Sequence, residues 1–444
     1  MGQQQRPGST ERHSPDTQPD STKLAIGEIE LMKIFSFVEG ANPRKGGLGL
    51  VGVPWIAKGV AERGHQVVLI IADYPISGVE RWVQPDVCTA LERKIGLGNY
   101  GIVMYPCVIQ RWAFSPAMLL ALLPYMRDVD FVTLHGIYSF PVLVGYLLAR
   151  WFHKPYGLWS HGVFAPIQRQ ISARKKKIYG GLIARAIIDN ASVLFYSSKG
   201  EREEARSLNF KVPSVIVPHG LNSEDFVNLP SRGAFRSRYM AGHSGPLVLF
   251  LSRINQKKGL DILARAFALV LERVPNARLA IVGSSDPPQF EDQVMSWVKE
   301  SGISDYVMMP GLLVGEEKMQ AFADADVFVL PSQAENFGFA VFEAMASRIP
   351  VVISDTLDYA KEVETHQAGI SMPRDPQAFA DAIVLVLTDK DLHRKLGQNG
   401  FSLARTYSWD TTGEQVERTI ECILRGEPLP LDLTCLSAKI VEQQ

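Results

Sequence analysis

Short, continuous apolar runs rich in Val, Ile, Leu and Phe alternate along this chain with longer stretches in which apolar residues recur at helical spacing. A strand that is apolar throughout is buried on both faces. Such strands alternating with helices are the pattern of a parallel sheet covered on either side. In the first half the strand candidates are Met32–Val38, Val67–Ala72, Ile102–Tyr105, Phe131–His135, Tyr156–Ser160, Val193–Ser197 and Val215–Pro218. In the second half they are Leu247–Leu251, Arg278–Val282, Val307–Met309, Val327–Leu330, Val351–Ser354 and Ile370–Met372. The pattern restarts once. Between the two series lie Leu229-Pro230-Ser231-Arg232-Gly233 and Ala241-Gly242-His243-Ser244-Gly245-Pro246, turn-rich segments that place a linker at 219–246. At 444 residues the chain is too long for one ordinary core. The fold class expected is therefore α/β, with two Rossmann-like doubly wound domains, 29–218 and 247–405, facing across a cleft. Residues 1–28, rich in Gln, Pro, Ser and Thr, read as a disordered tail, and 429–444 as a second tail.

Open α/β sheets bind ligands beyond the carboxyl ends of their strands, so the segments following the strand candidates are where chemistry is to be sought. Pro331-Ser332-Gln333-Ala334-Glu335-Asn336-Phe337-Gly338-Phe339 follows an apolar strand and leads into the helical run Ala340–Ser347. Amides at a helix start lack intrahelical partners and attract phosphate, and Gly338 lets the backbone come close. Glu335 and Glu343 frame this loop. Ionised carboxylates only accept hydrogen bonds, which suits them to sugar and ribose hydroxyls. After Leu247–Leu251, the segment Ser252-Arg253-Ile254-Asn255-Gln256-Lys257-Lys258-Gly259 sets Arg253 and Lys258 at a strand's carboxyl end. There they can stabilise charge growing on a departing diphosphate, with Lys257 as a solvated neighbour. In the first half a glycine loop containing Gly46 and Gly47 opens a helix carrying Trp55, and Trp159-Ser160-His161-Gly162 ends a strand. A lone histidine at a strand end is more often structural than reactive; His135-Gly136 is an analogous case, and His65 reads as structural.

Composition narrows the function classes. Apolar residues make up 46% of the chain and charged residues 21%, with a net charge of −1, which describes a globular protein with no electrostatic reason to bind nucleic acid. Cys88, Cys107, Cys422 and Cys435 are scattered, so neither a zinc site nor a disulfide framework is suggested, and a cytoplasmic location is expected. The best membrane-span candidate, Phe140–Leu148, stops at Arg150 and is too short. A basic run of Arg169, Arg174, Lys175, Lys176 and Lys177 reads as a solvated face. Its sharper alternative is peripheral contact with an anionic membrane surface or a lipid-diphosphate acceptor. Asp128-Val129-Asp130 and Asp324-Ala325-Asp326 look like Asp-x-Asp metal motifs, but each precedes an apolar strand. They read as solvated turns or helix ends, and no essential metal is expected.

Pro331-Ser332, Glu335, Phe337-Gly338, Glu343-Ala344-Met345-Ala346 and Pro350-Val351-Val352 together resemble the donor-site signature of the family-4 retaining glycosyltransferases, also called glycosyl transferases group 1, which have the GT-B fold. The resemblance spans roughly Met32 to Trp409. It implies that Glu335 contacts hydroxyls of the transferred sugar, that Glu343 binds the ribose, and that the segment Asn336, Phe337, Gly338 and Phe339 holds the distal phosphate. It also implies catalytic roles for His161, Arg253 and Lys258, a base-holding loop at Gly311 and Leu312, and a Gly46-Gly47 loop near diphosphate and acceptor. A closing helix over 406–428 would cross back to the first domain. The reaction implied is retaining transfer from a nucleotide-diphosphate sugar to a hydroxyl of a sugar or lipid-linked acceptor, as in polysaccharide, lipopolysaccharide or other glycoconjugate synthesis, with no cofactor besides the donor. The chain departs from the family pattern in Ile281-Val282-Gly283-Ser284-Ser285, which lacks the second glycine usual after this strand, at Arg348, where a glycine is expected, and at Asp355-Thr356-Leu357-Asp358-Tyr359, where many relatives carry a glycine-containing loop before the glutamate that is here Glu362. A non-catalytic sugar-nucleotide-binding subunit and an NAD-dependent oxidoreductase are the alternatives, the latter without a GxGxxG to support it.

Overall fold

The computed structural model describes residues 31–39, 52–73, 100–109, 112–164, 183–335 and 337–430. They form two parallel sheets. The first orders its strands β3-β2-β1-β4-β5-β6-β7, from β1 (Lys33–Val38), β2 (Gln66–Asp73), β3 (Tyr100–Pro106), β4 (Phe131–His135), β5 (Tyr156–Trp159), β6 (Val193–Tyr196) and β7 (Ser214–Ile216). The second orders them β10-β9-β8-β11-β12-β13, from β8 (Leu247–Leu251), β9 (Arg278–Val282), β10 (Val307–Gly311), β11 (Val327–Leu330), β12 (Val351–Ser354) and β13 (Gly369–Met372). Every strand expected from the apolar runs is present. β5 and β6 stop one residue early, because Ser160 and Ser197 give their side chains, and Ser197 its amide, to the buried Glu201 carboxylate.

Each sheet is buried on both faces by helices, which is why its strands carry no polar alternation. In the second sheet Phe250, Phe267, Phe328 and Phe342 are fully enclosed in one core; each such side chain contributes about 1.5–3 kcal/mol of burial. In the first sheet Phe35 and Phe37 fill the core on one face, while Ile34, Phe131 and Trp159 fill that on the other.

That second face of the first sheet is completed by the chain's late helix Trp409–Arg425. Its N-cap, Ser408, accepts from the Thr411 amide, and it packs against the helix Gly52–Ala61 so closely that a Cβ on Gly59 would overlap the Trp409 carbonyl and one on Gly413 the Gly59 backbone. His65, 1% exposed, accepts the Met32 amide at Nδ1 (3.2 Å) and so donates from Nε2 to Glu417 of that helix (2.7 Å). It is a structural tie, as the sequence indicates.

One expectation is corrected. Asp324-Ala325-Asp326 is a helix end, since the helix Gly315–Asp324 stops there, but it is not solvated: Asp324 is fully buried, accepting the Gly233 and Arg236 amides, and Asp326 accepts from Arg232, Arg236 and the Leu247 amide. The pair clamps the segment between the sheets to the start of β8, a role that an apolar strand following the motif does not reveal. Asp130 likewise accepts the Lys33 amide (2.7 Å) at the foot of β1. Among the described residues no helix is long and apolar enough to cross a membrane.

Candidate active site

In each sheet the strand order reverses direction beside its first strand, at β1/β4 and at β8/β11. Chains leaving neighbouring strands on either side of such a point run to opposite faces and leave a crevice between them. At β8/β11 the crevice is bounded by the loops 252–259 and 331–338. The first is shaped by Asn255, whose side chain accepts the Lys257 amide and caps the short turn Gln256–Lys258. Gly259 follows with φ 67°, packed so closely on the Pro331 carbonyl that a Cβ would overlap it. The Lys257 carbonyl then accepts from the Gln333 amide (2.7 Å) and the Ser332 hydroxyl (3.2 Å), so the two loops are stitched together. This brings Lys258 Nζ to 2.5 Å from Glu335 Oε1, with only 9% and 11% of the two side chains exposed.

The helix Phe339–Ala346 begins at Gly338, which has φ 81° and supplies no side-chain cap. The Tyr359 ring packs against this glycine, and a Cβ there would overlap its hydroxyl. Tyr359 Oη is buried and has no hydrogen-bond partner among the described residues. Burial, reinforced by the Glu335 and Asp358 charges, raises its pKa well above the ordinary tyrosine value, so it stays a neutral donor beside the loop. Glu343, one turn into the helix, is held by Lys318 at 2.9 Å and is 13% exposed. Arg253 is held loosely, 3.6 Å from Asp286, with 55% of its side chain exposed. Gly311, at φ 81°, ends β10, and Leu312 is 53% exposed. Phe337 is core: it is buried and stacks on Phe342 at 4.5 Å.

The first sheet contributes imidazoles. His135, at the end of β4, and His161, just after β5, meet at 3.0 Å between Nδ1 and Nε2. His161 sits at φ 46°, a conformation held by Glu201, which accepts from Ser160 Oγ and the Gly162 amide on either side of it. A third ring, His219, follows β7 and stacks on His161 at 5.8 Å and on Phe339 at 5.6 Å. The stack therefore runs from the first sheet to the helix start of the second. Burial alone pushes His161 down to about 3, and burial with the neighbouring imidazoles adding to it pushes His135 and His219 well below the ordinary histidine value. All three are neutral at physiological pH. His161 Nδ1 and both nitrogens of His219 have no partner among the described residues.

The sequence-derived candidates Lys258, Glu335, Gly338 and Phe339 thus converge, with Glu343 on the same helix as Phe339 and His161 joined to Phe339 through His219. Gly46, Gly47, Asn336 and the basic run Arg169–Lys177 lie outside the described residues. His219, Lys318 and Glu201 were not singled out from the sequence. A signal for His219 exists: the dipeptide His-Gly follows three strands of the first sheet, at His135, His161 and His219.

Two parallel sheets, each with a switch point, and cations, carboxylates and an uncapped helix start gathered at one of these, are the arrangement of the two-sheet GT-B architecture. The chain matches the model for glycosyl transferases group 1 over residues 232–402 and that for glycosyltransferase family 4 over residues 56–225. It belongs to the family-4 glycosyltransferases. Among curated relatives it is 26% identical over 314 residues to a D-inositol 3-phosphate glycosyltransferase of Corynebacterium jeikeium, covering 68% of this chain and 75% of that one. It is also 26% identical over 353 residues to a phosphatidyl-myo-inositol mannosyltransferase of Mycobacterium leprae, covering 76% and 86%. Among solved structures, Anabaena HepE in complex with UDP and glucose aligns with a TM-score of 0.67 at 18% identity, over 88% of this chain and 99% of that one. Sucrose-phosphate synthase of Thermosynechococcus elongatus aligns with a TM-score of 0.65 at 20% identity, over 89% and 100%.

Proposed function

We propose that this family-4 glycosyltransferase is retaining and metal-independent, and that it moves a sugar from a nucleotide-diphosphate donor to a hydroxyl of a glycan or lipid-linked acceptor. The observation that carries the reading is the Lys258–Glu335 pair at the β8/β11 switch point, beside the uncapped start of Phe339–Ala346. The donor diphosphate lies against that helix start, where unpaired amides and the helix dipole favour anions. Lys258 and the half-exposed Arg253 neutralise charge as the diphosphate departs, the work a metal ion does elsewhere. Asp324 and Asp326, the acidic pair nearest in sequence to this site, are committed to Arg236 and to backbone amides.

Glu335 accepts hydroxyls of the transferred sugar and Glu343, steadied by Lys318, accepts those of the ribose. The neutral His161 orients a sugar hydroxyl without placing positive charge beside a carbon that itself becomes cationic. The acceptor oxygen bonds to the anomeric carbon on the face from which the diphosphate leaves, and the leaving oxygen takes the acceptor proton. Retention of configuration follows. Since Anabaena HepE is known in complexes with UDP and UDP-glucose, uridine nucleotides are the first donors to test.

A panel of nucleotide sugars, scored by ligand-induced thermal shift, identifies the donor. The product's anomeric configuration then follows from NMR, and an inverted product overturns the retaining reading. Arg253→Ala, at an exposed position, should lower kcat by about 10²–10³-fold with an unchanged melting temperature. Turnover near that of the wild type removes Arg253 from the mechanism, and loss of all activity in chelator removes metal independence.

A further inference from the structure

The segment Asp355–Tyr359, where this chain departs from its family's pattern, is fastened on three sides. Thr356 Oγ1 donates to the Ser332 carbonyl at 3.2 Å, at the entrance of the loop that carries Glu335. Tyr359 packs on Gly338 at that loop's exit. Between them Asp358 reaches the other sheet: its Oδ2 accepts the Gly200 amide at 2.7 Å, in the first turn of the helix Lys199–Arg206 that follows β6. The approach is close enough that a Cβ on Gly200 would overlap the Asp358 carboxylate. The next residue, Glu201, is the buried carboxylate that grips Ser160 Oγ and the Gly162 amide on either side of His161.

We propose that Asp358 is a positioning residue for glycosyl transfer, a charged latch that sets the His161 loop of the first sheet against the Glu335 loop of the second, acting through Gly200 and Glu201. Both ends of the latch are rigidly tied to groups assigned to the donor. Ser332 and Gly338 bracket Glu335 on one side; Glu201 brackets His161 on the other. A carboxylate meeting the unpaired amides of a helix's first turn is attracted by the helix dipole as well as by the hydrogen bond. The contact is also the reason position 200 is glycine: its backbone angle is ordinary, and only the approach of Asp358 excludes a side chain.

The inference rests on the transferase reading for its kinetic readout, and a second readout is independent of it. In Asp358→Ala, kcat/KM should fall roughly fivefold, the factor matching the upper end of a carboxylate–helix-terminus interaction at an exposed site. Asp358→Asn, whose amide oxygen still accepts the Gly200 N–H, should recover part of that loss. In 1 M salt the difference between wild type and Asp358→Ala should shrink as the charge is screened. Gly200→Ala should mimic Asp358→Ala, whereas in the Asp358→Ala background it should add nothing, because alanine is the better helix former once the carboxylate is gone. Melting temperatures serve as the folding control. Independently of any activity, hydrogen exchange at the Gly200 amide should accelerate in Asp358→Ala. Unchanged exchange overturns the latch itself. Faster exchange with unchanged kinetics, or multiplying effects of the two substitutions, overturns its positioning role. A wild type inert toward every donor overturns the transferase reading while the exchange result stands.

Discussion

Replacing Lys258 by methionine separates what the Lys258–Glu335 pair does for folding from what it does for transfer. Both side chains are about nine-tenths enclosed and their charged atoms are 2.5 Å apart. Removing the ammonium leaves the Glu335 carboxylate buried without its cation. Breaking one half of such a pair costs about 3–5 kcal/mol, most of it the desolvation that the missing partner no longer offsets. At about 2.1 cal/mol/K of unfolding entropy per residue, a unit the size of Met32–Gln444 shifts by roughly 1 °C per kcal/mol, so Lys258→Met should melt roughly 3–6 °C below the wild type. The double variant Lys258→Met/Glu335→Leu removes both buried charges and should regain most of that loss, since an apolar pair of similar volume fills the space without a desolvation cost. Its activity should stay abolished. Differential scanning calorimetry and a donor-turnover assay on the same samples read the two quantities. A Lys258→Met protein that melts within about 2 °C of the wild type, or a double variant less stable than both singles, would refute the argument that this is a buried pair held for function rather than for stability.

Two further outcomes follow from the site. The imidazoles of His135, His161 and His219 are depressed in the folded state, His161 to about 3, while unfolded histidines titrate near 6.5. Depressed histidines make the unfolded state the one that binds protons, so stability is full above pH 6.5 and falls as the pH drops below it, by about 1.4 kcal/mol per imidazole per pH unit. His219→Phe keeps the stack but removes one of the three protons, so melting temperature should fall less steeply with acid; an unchanged slope removes His219 from the titrating set. Gly338→Ala forces an alanine to φ 81° and against the Tyr359 hydroxyl. It should weaken nucleotide binding about tenfold by calorimetric titration, through roughly 1–2 kcal/mol of backbone strain alone. Tyr359→Phe added to it should restore part of the affinity by relieving the overlap, and full affinity in Gly338→Ala would show that the helix start does not meet the phosphate.

Much of the architecture was legible in the chain itself, because burial on both faces writes an uninterrupted apolar run and each run became a strand. Gly338 was legible in kind, as a glycine at a helix start where close approach is needed, whereas the matching role of Gly259 against the Pro331 carbonyl was not. The loop carrying Glu335 could be singled out from its residue types and its place after a strand, while the donor role proposed for it came from the resemblance to the family-4 glycosyltransferases. Other features depended on contacts that no local pattern records. Lys258 and Glu335 are 77 residues apart and meet because β8 and β11 are neighbours, an order set by how the helices cross over the sheet. Asp324 and Asp326 were legible as a helix end but not as buried, for the same reason: a carboxylate is solvated or buried according to what arrives opposite it, and here the Gly233 and Arg236 amides and the Arg236 guanidinium arrive. His219 and Asp358 gained their places only when a ring after β7 met Phe339 and a loop after β12 met the helix after β6. The sequence by itself determined where the chain extends, coils and turns, since those depend on each residue's own periodicity and backbone freedom. Tertiary structure alone decided which charges face one another, because that depends on strand order and on the docking of one sheet's loops against the other's.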